Sequence, residues 1–284
     1  MTHFPRKIIS LFTGAGGLDL GFEAAGFETA VAVEMDDRCV ETLRYNRDWP
    51  VFHSDVASVT SQAIFEAGHL RKGEAALLIG GPPCQPFSKS GFWATGESKR
   101  LKDPRAATLD HYLRILEDTL PHAFLLENVA GIAYRGKSEG LEYLLERIDS
   151  INRKNQTNYR VETMRLNAAA YGVPQIRERV FLVAHRDGLP FGELKPTHAY
   201  KANAGDQLPL ELDLKPANTA WDAIGHLASE KSSDLSPRGK WADLLPTIPE
   251  GDNYLYHTDR GAGAPLFGWR RRFWNFLLKL DRNK

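Results

Sequence analysis

Cysteine is scarce in this chain: two in 284 residues, Cys39 and Cys84. Two thiols make no disulfide framework, and no Cys-x-x-Cys or His-Glu-x-x-His spacing offers a metal site, so no metal is expected. A reducing cytoplasm suits such usage. Long hydrophobic runs are missing too. No apolar stretch approaches the roughly 18 to 20 residues that cross a bilayer, which predicts no membrane span. The start, MTHFPRKIISLF, enters an apolar segment without a cleavage site and does not read as a signal peptide. Net charge is also absent: 36 Lys and Arg face 36 Asp and Glu, and the two signs nearly cancel within 1–190 and within 191–284. A strongly basic nucleic-acid binder is thereby excluded, so any attraction to a polyanion must come from a local groove. The one basic cluster, GWRRRFWNFLLKLDRNK at 268–284, reads as a helix with a solvated face.

What is present is an ordinary soluble composition, 42% hydrophobic and 25% charged, with a strong alternating rhythm. Apolar runs at 7–12, 29–34, 50–56, 75–81 and 123–128 read as strands. Between them, 18–27, 38–46, 62–68 and 108–120 carry helical spacing, and 140–152 follows as another helix. Two further strands are expected at 159–168 and 178–186. This order predicts an α/β fold: an open, mostly parallel sheet with helices on both faces. After about residue 190 prolines break the rhythm, and NTAWDAIGHLASE is the one clear helical pattern. The expected organisation is therefore a domain at 1–190 and a loop-rich region at 191–284.

Three places along this pattern carry chemistry. SLFTGAGGLDLGF sets Gly14, Gly16, Gly17 and Gly21 between a strand and a helix, where glycines permit a tight turn and close approach of a ligand. Glu34 ends the second strand, 20 residues after Gly14, where an acid can hold the ribose hydroxyls of a nucleoside. Asp55 ends the third and could accept from an adenine amino group. The spacing is not the Gly-x-Gly-x-x-Gly of NAD enzymes, and no Gly-Lys-Ser/Thr marks a triphosphate site. Further along, LIGGPPCQPFS puts Cys84 in a turn stiffened by Pro82, Pro83 and Pro86. Glu127 ends the fifth strand, and Arg177 and Arg179 precede the last. Singly, these could be a buried thiol, a helix cap and a salt-bridged edge. Together they offer a nucleophile, an acid and two cations at the end of the sheet where α/β proteins place their sites.

SLFTGAGGLDLGF, VAVEMD, GGPPCQPFS, LLENV and QIRERVFLVA, in that order and spacing, resemble the shared motifs of the DNA (cytosine-5) methyltransferases over roughly residues 8–186. The resemblance implies a Rossmann-like methyltransferase fold, an S-adenosylmethionine cofactor, double-stranded DNA as substrate and a place in the cytoplasm at the nucleoid. By motif position Phe12, Thr13, Gly14, Ala15, Gly16, Gly17 and Leu18 would line the cofactor's amino-acid end. Glu34 would hold the ribose, Met35 would pack on the adenine, and Asp55 with Val56 would flank its edge. The backbone from Gly81 to Pro83 would close over the cofactor. Cys84 would be the nucleophile, Glu127 would hold and protonate the ring at N3, Arg179 would contact the base oxygen, and Arg177 would support the pocket.

Two departures stand out. The family has a leucine three residues past the arginine of Asp-Pro-Arg; here Arg105 is followed at that distance by Thr108, with Leu109 next. The family's C-terminal Gly-Asn motif and supporting helix pair are not found before Lys284, and TAWDAIGHL resembles the opening of its variable region. The expectation is a target-recognition lobe only begun in 191–284, with the rest truncated or supplied by a second polypeptide. A tRNA cytosine-5 methyltransferase, or an inactive remnant that binds cofactor or DNA, are the alternative readings.

Overall fold

The computed structural model describes residues 6–82, 107–128, 139–200, 213–229, 242–249, 252 and 255–266. Its centre is a seven-stranded sheet. In chain order the strands are β1 (Lys7–Leu11), β2 (Glu28–Glu34), β3 (Val51–His53), β4 (Leu77–Gly80), β5 (Ala123–Asn128), β6 (Glu162–Asn167) and β7 (Glu178–His185). Across the sheet they run β3-β2-β1-β4-β5-β7-β6. The first five are parallel, and β7 lies antiparallel to β5. β1, β3 and β4 are shorter than the apolar runs at 7–12, 50–56 and 75–81, whereas β2 and β5 match theirs to within a residue. The chain thus has the mostly parallel α/β sheet expected from its alternating pattern.

Side-chain alternation sorts this sheet into two faces. Ile9, Leu11, Val31, Val33, Leu78, Phe124 and Leu126 face one way and share a core with Ile64, Leu113, Leu116, Leu144 and Ile148. Those last residues come from α3 (Ser61–Gly68), α4 (Ala107–Thr119) and α5 (Glu139–Asn155). Ile8, Ala76, Leu77, Ile79 and Ala123 face the other way, against Leu18 and Phe22 of α1 (Gly17–Ala24). A further helix, α2 (Asp37–Asn46), follows β2 and starts at Asp36, whose carboxylate accepts from the N–H groups of Arg38 and Cys39. Near the centre Tyr112 is completely buried, and its hydroxyl lies 3.1 Å from the carbonyls of both Leu78 and Leu125. It thereby spans β4 and β5 from the α4 side.

The chain divides into two compact units, Met1–Leu166 with Glu178–Glu193, and Asn167–Arg177 with Leu194–Lys284. In the second, β8 (His198–Ala199) pairs in parallel with β9 (Lys215–Pro216). A capping box between Thr219 and Asp222 opens α6 (Ala220–Ile224), which tightens into a 3-10 turn at Gly225–Ser229. The helical pattern read in NTAWDAIGHLASE is therefore one α turn and a 3-10 extension. The basic cluster at 268–284 lies outside the described residues.

Candidate active site

The glycine turn begins one residue after β1. Phe12 has φ 54, a left-handed conformation that costs a non-glycine residue about 1 kcal/mol or more. Thr13 fixes the bend. Its N–H donates to the Val33 carbonyl at 3.3 Å, and its hydroxyl lies 3.3 Å from the carbonyls of Ser10 and Val33. Gly14 (φ 57) and Gly16 (φ 86) then turn the chain into α1. At Gly14 and Gly17 an added Cβ would meet nothing within 4 Å, so the backbone here borders open space. Gly16 caps α1 without any side-chain bond to its first-turn N–H groups.

Glu34, at the end of β2, is gripped by backbone. Its Oε2 accepts from Gly14 N–H at 2.6 Å, and its Oε1 accepts from Met35 and Asp36 at 2.8 and 2.9 Å. Its distance from Gly14 along the chain thus becomes a direct contact between turn and strand end. Asp55 caps a 3-10 turn at Val56–Ser58 by accepting from Ala57 N–H at 2.9 Å. These pieces enclose a cleft of about 230 Å³ lined by Phe12, Val33, Glu34, Met35, Ser54, Asp55, Val56, Gly81 and Thr108. Its walls combine apolar surface with two carboxylates. That donor set fits a nucleoside: apolar sides for a flat base, and acids for hydroxyl and amino groups. Thr108 rather than Leu109 faces this cleft; Leu109 is buried in the core.

The chemistry-bearing carboxylate lies next door. Glu127 Oε1 pairs with Arg179 Nε at 2.8 Å, and both side chains are about one-fifth exposed. Arg179 Nη1 also donates to the Glu178 carbonyl at 2.7 Å. The antiparallel register explains the pairing: Glu127 faces Phe181, so Arg179, two residues earlier, is its diagonal neighbour on the same face. An added Cβ on Gly81 would stand 3.2 Å from Glu127 Oε2. Gly81 therefore separates the cleft from the carboxylate by the thickness of its own backbone. Arg177 is exposed and belongs to the second unit, where its N–H donates to Asn167 Oδ1 at 3.2 Å and its carbonyl accepts from Ala168. Pro83, Cys84, Pro86 and Arg105 lie outside the described residues.

Four residues escape sequence reasoning. Val33 and Ser54 line the cleft only because β2 and β3 end side by side. Arg114 of α4 donates from Nη2 to the carbonyls of Val56 and Val59 at 3.1 and 3.0 Å, holding the Asp55 turn from behind. Nothing in the α4 pattern distinguishes this arginine from a solvated one. The fourth is Asp19, an acid in the first turn of α1 that is fully buried. Among the described residues no group of His, Cys, Asp and Glu could hold a metal ion, and no helix is long and apolar enough to cross a membrane.

A family model for C-5 cytosine-specific DNA methylases matches residues 6–242. The chain is 36% identical over 290 residues to the type II methyltransferase M.SacI of Streptomyces achromogenes, covering 98% of this chain and 72% of that protein. It is 43% identical over 226 residues to the type II methyltransferase M.AquIA of a Picosynechococcus strain, covering 78% and 89%. Among solved structures, a DNA modification methyltransferase encoded within an E. coli prophage aligns with TM-score 0.51 at 28% identity, over 63% of this chain and 46% of that one.

Proposed function

The chain belongs to the C-5 cytosine-specific DNA methylase family, and from that premise we propose that it methylates carbon 5 of cytosine in a specific double-stranded DNA sequence, with S-adenosylmethionine as methyl donor. The observation that carries this reading is the double position of Gly81, which lines the nucleoside cleft on one side and packs against the Glu127 carboxylate on the other. Donor and base would then meet across one residue.

The roles follow from the chemistry. Carbon 5 of cytosine is a poor nucleophile. Addition of the Cys84 thiolate to carbon 6 forms an S–C bond and pushes the ring electrons toward N3 and carbon 5. Glu127 stabilises the ring at N3. Arg179, by holding Oε1, orients that carboxyl with Oε2 toward Gly81, and its remaining N–H groups serve the base oxygen. When bound, S-adenosylmethionine supplies an electrophilic methyl group. Glu34 and Asp55 would hold its ribose and adenine, Phe12, Met35 and Val56 its flat faces, and the turn from Thr13 to Leu18 its amino-acid end. Loss of the carbon 5 proton to a base and expulsion of Cys84 then restore the ring. The base must leave the helix stack for any of this, a cost of a few kcal/mol offset by contacts to the extruded base. The same reading places the protein at the nucleoid.

DNA carrying 5-fluorocytosine tests it, because fluorine at carbon 5 blocks the final elimination. With S-adenosylmethionine present, a covalent protein–DNA adduct should form and vanish in Cys84→Ser. Adduct on tRNA but not on duplex DNA would favour the RNA reading. No adduct on either, with or without a second polypeptide that carries the expected C-terminal motifs, would leave a binding remnant.

A further inference from the structure

Tyr112 brings a hydroxyl into the core of the sheet, where a phenylalanine would pack as well without one. Burial pushes its phenol well above the ordinary range, so the hydroxyl keeps its proton and donates. It stands 3.1 Å from the Leu78 carbonyl of β4 and 3.1 Å from the Leu125 carbonyl of β5. A single proton therefore serves two adjacent parallel strands. Those strands already pair through their own ladder, so the bridge is not what joins them. What it adds is a fixed point shortly before both strands end. Two residues beyond the bridged carbonyls stand Gly80 and Glu127. The Tyr112 ring also fills the space beside Gly80, where an added Cβ would meet two of its carbons at 3.1 and 3.3 Å. The next residue, Gly81, lines the cleft and packs against Glu127 Oε2.

Other residues of α4 serve the cleft itself. Thr108 lines it, and Arg114 holds the Val56 and Val59 carbonyls behind it. Tyr112 is not among the lining residues, and its hydroxyl reaches instead to the two strands that carry the cleft wall and the carboxylate. We propose that Tyr112 is a positioning residue for methyl transfer: its hydroxyl fixes β4 against β5, and with them the placement of Glu127 relative to the Gly81 wall, without contributing to cofactor affinity. The inference rests on the function proposed above. Reacting groups tolerate displacement poorly, an error of about 1 Å costing on the order of a hundredfold in rate. Binding in the cleft draws on Glu34, Asp55 and their neighbours, which the bridge does not hold.

Tyr112→Phe in the full chain removes the hydroxyl and keeps the ring, so the core stays filled. Its kcat for methyl transfer to duplex DNA should fall about tenfold, while the Kd for S-adenosylhomocysteine, read by calorimetry, stays within about twofold. Hydrogen exchange should quicken in segments 77–82 and 123–128 and stay unchanged in 28–34. Phe124→Leu is the control. The Phe124 ring meets that of Tyr112 edge-on, with centroids 6.4 Å apart, so this variant loosens the same core and keeps the hydroxyl. It should lower the melting temperature at least as far as Tyr112→Phe and leave kcat within about twofold. An unchanged kcat in Tyr112→Phe, or an equal loss of kcat in Phe124→Leu, would overturn the proposal and leave Tyr112 a structural residue. A wild-type protein that binds S-adenosylhomocysteine but methylates neither DNA nor tRNA would overturn the methyl-transfer reading, and this inference with it.

Discussion

Gly80 shows how little room a single residue leaves at the centre of the sheet. An added Cβ there would stand 2.9 Å from the Leu11 carbonyl and 3.1 Å from the Tyr112 ring. Its backbone is ordinary strand, so the demand is for space and not for a special φ. Gly80→Ala should therefore cost about 1–3 kcal/mol by overpacking, read as a lower urea midpoint with an unchanged slope. Gly14 is the opposite case. Its Cβ would enter open space, but φ 57 disfavours any side chain. Sequence shows both as glycine in an apolar context. Only the neighbours distinguish a packing glycine from a turn glycine.

At the scale of elements, the site is made where strand ends meet. β1, β2 and β3 end beside one another, which brings Phe12, Glu34 and Asp55 to one cleft. α4 then braces the far wall through Arg114. Arg114→Ala should leave the fold intact while freeing the Asp55–Val56 turn, and the Kd for S-adenosylhomocysteine should rise about fivefold, the effect of losing roughly 1 kcal/mol of fixed geometry. An unchanged Kd would show that the turn holds itself. The pairing of Glu127 with Arg179 depends on an element too, because β7 reverses direction. Had β7 run parallel to β5, its first residues would lie at the other edge of the sheet, far from Glu127.

Across the whole molecule, one of the places where stability responds to pH lies around Arg186 and His122. Arg186 donates from Nη1 to the Gly73 and Leu120 carbonyls at 3.1 and 2.7 Å, tying the loops before β4 and β5 to the end of β7. Beside it, burial first and the Arg186 charge second hold the His122 imidazole below its ordinary value of 6.5. The unfolded chain takes up this proton first, so the contribution is complete above pH 6.5 and fades as pH falls below it. The urea midpoint should drop between pH 7 and pH 5, and His122→Gln should flatten that drop; an equal slope in the variant would clear His122. The alternating α/β order, the glycine turn, the strand-end acids and the family are legible in the residues alone, since each depends on local spacing and residue type. Only the fold shows that β7 runs backwards, that Thr108 and not Leu109 faces the cleft, that Arg177 and Arg179 belong to different units, and that Asp19 is fully buried. The physical reason is common to all four: each is set by which distant segment packs against the residue, and local periodicity carries no information about that partner.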